Sequence, residues 1–321
     1  MATKERGRLA GRAARALGLV RRATAALFLL SPGASTAEGA ERRVVLSPGE
    51  EIRVTEAGAG QLVVLIPGLF GCAYGYRGLL SELASAGYHG IVVEPLGIGG
   101  SSKPEGADYS LTAQADRVGA VMDALDLPRA AVVAHAVGAS IAYRLACRRP
   151  ERVAAIVSLD GGPAEAATTR GFRRAMRWAP LIKLFGGARR IRGHVRATLV
   201  ERSADPSWVT EAVLNGYMAP LAEDLGGTLR AYRSMGRSRE PELLRDRLAE
   251  IQCPVRLLIG AWPHEGGISA AEVELLRKHL RHFAVESVPR AGAFLFEEAP
   301  GTVVAAVERA LDDTVVKVAE R

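Results

Sequence analysis

A chain of 321 residues that is 48 % apolar and 24 % charged can bury a full core, which excludes a collagen-like, low-complexity or disordered protein. Its net charge of +7 is concentrated, with +5 on residues 1–40 and +9 on residues 170–196, leaving −7 on the remainder. No coherent basic face or reader motif accompanies that charge, so no nucleic-acid partner is expected, while an anionic membrane surface or anionic ligand met by 1–40 and 170–196 stays open.

The first 22 residues are rich in Arg, and "ATAALFLL" (23–30) and "SPGASTA" (31–37) follow. Basic, apolar and small-residue parts in that order resemble a secretory signal, with Ser35 and Ala37 in an A-x-A-like pattern. The apolar run is too short to span a bilayer, which takes about 20 residues. Export to the periplasm or outside, and a cytoplasmic protein with a basic extension at 1–40, are equal alternatives. Folded structure is expected from Glu41. "RRVVLS" (42–47) and "EIRVTEAG" (51–58) read as a hairpin around Pro48-Gly49. "QLVVLIPG" (61–68) is a continuous apolar strand, "YRGLLSELASAGY" (76–88) a helix and "GIVVEP" (90–95) a second buried strand. A helix over 110–127 with Ser110 as N-cap leads to a strand over 130–135, a helix to about Arg149 and a strand over 152–161.

This β-α-β-α-β order with near-continuous apolar strands predicts a parallel sheet covered on both faces. Residues 162–250 read as an almost wholly helical insertion. The alternation then returns with a strand at 254–260, a helix at 269–280, a strand at 283–288 and a helix at 300–311. The tail 312–321 is expected to fray.

The three cysteines, Cys72, Cys147 and Cys253, form no disulfide framework and no C-x-x-C pair. At least two of them read as small buried hydrophobes, and no metal or cofactor is expected.

One stretch poses the functional question. "VVAHAVGAS" (132–140) is a strand that breaks and turns into a helix of small residues, with Ala136 at the apex. "VVLIPGLFGCAYGYR" (63–77), "EPLGIGGSSKP" (94–104) and "GAFLFEEAP" (292–300) join it. Together with the element order, these segments resemble the α/β-hydrolase superfamily (lipases, esterases, epoxide hydrolases) over residues 41–311. The resemblance implies a mostly parallel eight-stranded sheet flanked by helices, with a helical cap at about 162–250. It also implies a nucleophile on the strand-to-helix turn, a His after the last strand and an orienting carboxylate after the sixth or seventh strand.

At each of those positions this chain departs from the pattern. The nucleophile position is Ala136, which has no reactive atom. The base position is Ala293, and no His follows the last strand, since His279 and His282 precede it. The acid position after the seventh strand is Pro263, with Glu265 two residues late. Asp160, in "SLDGG", fits the alternative acid position or caps a turn. Candidate substitutes are Asp160, His135 beside the turn and His264. The amides of Leu69 or Phe70 and of Val137 are expected to form an oxyanion hole, with Cys72 and Glu94 at the pocket.

Residues 170–196 read as an amphipathic cap helix with a basic side. The degenerate triad points to a non-catalytic or weakly catalytic binder of an apolar or acyl-type molecule. Two alternatives stand beside it: a hydrolase of ester or related bonds with a rebuilt site, and a membrane-surface scaffold.

Overall fold

The computed structural model describes residues 39–169, 173–174 and 187–319. The signal-like segment lies outside them, and so does most of the basic stretch 170–196. In the described part of that stretch, Arg192 and Arg196 pair with Glu211. No helix among the described residues is long and apolar enough to cross a membrane.

The sheet has eight strands in the order β1-β2-β4-β3-β5-β6-β7-β8. β1 (Ala40–Ser47) and β2 (Glu50–Gly58) form the antiparallel edge, and β2 pairs antiparallel with β4 (Tyr88–Val93). β3 (Gln61–Ile66), β5 (Ala130–His135), β6 (Val153–Leu159), β7 (Val255–Gly260) and β8 (Phe283–Val288) continue it in parallel with β4. Alternation along β3 explains the layering. Val64 and Ile66 meet one apolar layer with α2 (Leu111–Ala124), α3 (Val137–Arg148) and α7 (Ala270–His279). Val63 and Leu65 meet the other with α1 (Arg77–Ser85) and α9 (Pro300–Ala319). The Ser110 cap read from sequence is made, and the structure adds one at Ser269. The Ser110 hydroxyl accepts from Ala113 N–H at 3.2 Å, and Ser269 closes a capping box with Glu272.

Two expectations need correction. The insertion is not almost wholly helical. Its described part holds α4 (Gly187–Glu201), α5 (Glu211–Glu223) and α6 (Leu225–Met235), and only single 3-10 turns between 236 and 250. There the Glu165 carboxylate takes the amides of Leu244 and Arg245, at 3.0 and 2.9 Å, that a longer helix would need. The C-terminal tail is also not frayed from residue 312. α9 runs on to Ala319, because Val307, Ala310 and Leu311 stay buried and Asp313 pairs with Arg256 at 2.7 Å.

Candidate functional site

β5 ends at His135 and α3 begins at Val137, so Ala136 alone turns the chain, at φ 50° and ψ −121°. A non-glycine residue there is strained, at a cost of about 1–3 kcal/mol. The turn holds because Ala136 N–H donates to Leu159 O on the neighbouring β6 at 3.0 Å. α3 can approach β3 because residue 138 is glycine: a Cβ there would lie 2.6 Å from Ile66 O. This is the geometry of a nucleophile elbow whose apex is a methyl group.

His135 sends its ring towards the loop after β8. Its Nε2 lies 3.0 Å from the carbonyl oxygen of Ala293. A carbonyl only accepts, so Nε2 carries the proton and Nδ1 the lone pair. The ring sits edge-on to Phe296, with centroids 5.0 Å apart. Burial pushes the imidazole down to about 4, with Asp160 partly opposing, so it is neutral at pH 7. Nδ1 has no hydrogen-bond partner among the described residues.

The loop after β8 is tied into the insertion. Ala293 N–H donates to Arg202 O at 2.9 Å, and the Glu298 carboxylate takes Gly292 N–H at 2.9 Å and Ala204 N–H at 2.7 Å.

Pro263 stands in the loop after β7, and that loop brings His264 against Asp160. The two side chains are 5 % and 4 % exposed, with Nε2 and Oδ2 2.5 Å apart. The other ring nitrogen, Nδ1, donates to Trp262 O at 2.7 Å, and Ile268 N–H reaches Asp160 Oδ1 at 3.4 Å. Both imidazole nitrogens are therefore engaged, and His264 has no lone pair left for a water molecule. The pair fastens the 260–268 loop to the end of β6.

The expected oxyanion loop is partly occupied. Phe70, at φ 62°, donates its N–H to the hydroxyl of Tyr232 on α6 at 3.0 Å. The two rings meet edge-on at 4.9 Å. Phe70 is thus corrected from a ready oxyanion donor to one bonded by the insertion. Leu69 is half-buried, packed against the core, and the Val137 amide opens α3 at the elbow.

Cys72 is a buried thiol, as its buried-hydrophobe reading expects, whereas Glu94 differs from expectation. Cys72 is 3 % exposed, packed with Leu199, Val213, Leu214 and Tyr217 between sheet and insertion. Burial pushes its thiol up to about 12, so it stays protonated and a poor nucleophile. Glu94 is fully buried. Its two oxygens accept from Ala73 N–H and Gly100 N–H, each at 2.6 Å. Burial raises its pKa, while those amides and Arg53 oppose the rise.

Four contributors carried no signal in the sequence: Tyr232, Tyr217, Arg77 and Arg144. Tyr232 reaches the oxyanion loop from 162 residues away in the chain. The Tyr217 hydroxyl and Arg77 converge on Glu297 at 2.9 and 2.7 Å. Arg144 anchors the insertion, as described below. A surface groove of about 770 Å³ lined by Asp205, Trp208, Arg290 and Glu298 lies beside β8, and none of residues 135–137 line it. Among the described residues, no cluster of three or more His, Cys, Asp or Glu could hold a metal ion.

The alpha/beta hydrolase fold family matches residues 61–181, the stretch that contains the elbow. The chain is similar to an epoxide hydrolase of Caballeronia sordidicola, 34 % identical over 124 residues, 38 % of this chain and 37 % of that one. It is similar to epoxide hydrolase A of Mycobacterium tuberculosis, 36 % identical over 124 residues, 37 % of this chain and 38 % of that one. The matched segments thus span little more than a third of these relatives. Among solved structures it resembles the epoxide hydrolase CorEH without ligand, with TM-score 0.71 and 18 % identity over 85 % of this chain and 99 % of that one. The chain has the α/β-hydrolase fold, with a helical insertion between β6 and β7.

Proposed function

We propose that this chain binds a small apolar or acyl-type molecule above Ala136 and holds it without forming a covalent bond. The observation that carries this reading is the elbow itself: the strained turn is kept while its apex is a methyl group. Two described neighbours do not replace the missing group: the Cys72 thiol stays protonated and both His264 nitrogens are engaged. The apolar cluster of Leu199, Val213, Leu214 and Tyr217 beside Cys72 supports an apolar ligand. So does the similarity to proteins named epoxide hydrolases.

A second reading is a hydrolase that attacks its substrate directly with water. Two observations favour it: the hydrolase relatives, and the unbonded Nδ1 of His135 beside the elbow. In that reaction Nδ1 takes a proton from water as the water oxygen bonds to the substrate carbon, and the imidazolium then gives that proton to the ester or epoxide oxygen whose bond to carbon breaks.

Hydrolysis of p-nitrophenyl butyrate and of styrene oxide by the purified chain separates the two. Release at the buffer rate from folded protein supports the binder. Release above that rate which disappears in His135→Phe overturns it in favour of water attack.

A further inference from the structure

We infer that this chain pairs with a second copy of itself along β8, so that two sheets join across a two-fold axis. Among the described residues, β8 is the last strand of the sheet and no strand pairs with its outer side. Its ladder shows which groups face that side. Val255 N–H donates to the His282 carbonyl and Ala261 N–H to the Val288 carbonyl, each at 2.9 Å. Residues 282, 284, 286 and 288 therefore turn their backbone groups to β7, and Phe283, Val285 and Ser287 turn theirs outward.

The two edges of the sheet are built differently. An open edge is a template for pairing unless charges, proline or a bulge blunt it. β1 carries Glu41, Arg42 and Arg43, each in an ion pair with β2, and a bulge between Val45 and Ser47. β8 reads "FAVESV", without proline, Lys or Arg, and runs in unbroken register with β7. Its one charged side chain, Glu286, is drawn back over the sheet by Arg256 of β7 at 2.8 Å and Arg309 of α9 at 2.6 Å. Val285 is left 36 % exposed.

The register selects the occupant. A two-fold axis at Val285 sets Val285 against Val285, and Phe283 against Ser287, of the second copy, and uses every outward residue of both strands. Each of those pairs exchanges two backbone hydrogen bonds. On the opposite face Glu286 then lies across from Ala284, so no like charges meet. An axis at Ala284 leaves Ser287 without a strand partner, and an axis at Glu286 sets two carboxylates against each other. The strand is thus complementary to its own copy, as an isologous interface requires.

Sedimentation velocity on the full chain over a concentration series reads the mass. Twice the 34.0 kDa of one chain is expected at the upper end. Val285→Lys sets two ammonium groups against each other across the axis. It is expected to return the mass to that of one chain with Tm unchanged, because Val285 lies outside the core. Val285→Glu is expected to do the same, and mixing the two variants to restore the dimer, since this register sets Lys against Glu. Hydrogen exchange gives a reading that needs no variant: the Phe283, Val285 and Ser287 amides should be protected in the dimer and exchange faster on dilution. A chain that stays single throughout overturns the inference, as does a dimer that both variants leave intact. Protection of those three amides in the single chain also overturns it, since another segment of the same chain then lies along β8.

Discussion

The imidazole of His135 donates from Nε2 to the carbonyl oxygen of Ala293 at 3.0 Å, joining the residue before the elbow to the loop after the last strand. In the hydrolase pattern, those two places bring nucleophile and base together through side chains. Here a side chain and a backbone carbonyl make the link. The bond holds the loop after β8 against the turn at Ala136.

Burial of that ring sets a pH dependence of stability, which the bond to Ala293 partly opposes. The His135 pKa is about 4 in the folded chain against 6.5 for an unperturbed histidine. Between those values the unfolded chain binds the proton and the folded chain does not, so stability falls as pH drops from about 6.5 to about 4. Above that window the group contributes no slope. The loss is on the order of 2 kcal/mol, allowing for the half-buried ring. Urea unfolding at pH 7 and pH 4.5 measures it, and His135→Phe should flatten the difference by that amount. An unchanged slope in the variant contradicts the assignment.

The elbow offers a second prediction. Ala136 sits at φ 50° and ψ −121°, where glycine alone is at ease. Ala136→Gly relieves strain of about 1–3 kcal/mol and gives back about 0.5–1 kcal/mol in unfolded-chain entropy. A net stabilisation of about 1 kcal/mol is expected, a rise in Tm of roughly 2 °C. A fall in Tm would mean that the Ala136 methyl packs usefully against its surroundings.

Much of this fold was legible because its strands announce themselves. β5 and β8 begin and end where their apolar runs do, and Ser110 and Ser269 mark helix starts through local bonds three residues away. The turn at Ala136 was legible for the same reason, since it follows a strand end. Asp160 and His264 were each candidates, but their pairing across 104 residues depends on how the loop after β7 folds back. Glu94 read as a pocket residue because its place after β4 is near the site. Its two amide partners, Ala73 and Gly100, come from separate loops that no periodicity connects. The 236–250 segment misled because its composition suits a helix, while a distant carboxylate, Glu165, claims its amides.

Glu94 therefore belongs to the scaffold, and its substitution tests that. Glu94→Gln keeps one oxygen acceptor and turns an NH2 group towards an amide that needs an acceptor. It also removes the negative charge beside Arg53. A loss of about 2–3 kcal/mol is expected in denaturant unfolding at pH 7. Faster hydrogen exchange at the Ala73 and Gly100 amides should accompany it. A loss confined to ligand binding, with both amides still protected, would instead place Glu94 at the site.

Arg144 on α3 is the last case, and it concerns how the insertion is held. Its side chain is 2 % exposed and meets Glu165 at 3.0 Å and Glu240 at 3.3 Å, one carboxylate from each end of the insertion. Glu240 in turn takes the amides of Leu111 and Thr112 at the start of α2, at 2.7 and 3.0 Å. One core arginine thus gathers both roots of the insertion onto two core helices. Arg144→Met leaves two carboxylates facing each other without a counter-charge, which costs about 3–5 kcal/mol. Adding Glu240→Gln removes one of those charges and should recover part of the loss, a coupling that a double-mutant cycle reads directly. Trypsin should also cut Arg144→Met faster within the insertion than within the sheet, because the roots at 165 and 240 are freed first. Equal acceleration in both regions would show that Arg144 stabilises the whole domain and gives the insertion no separate anchor.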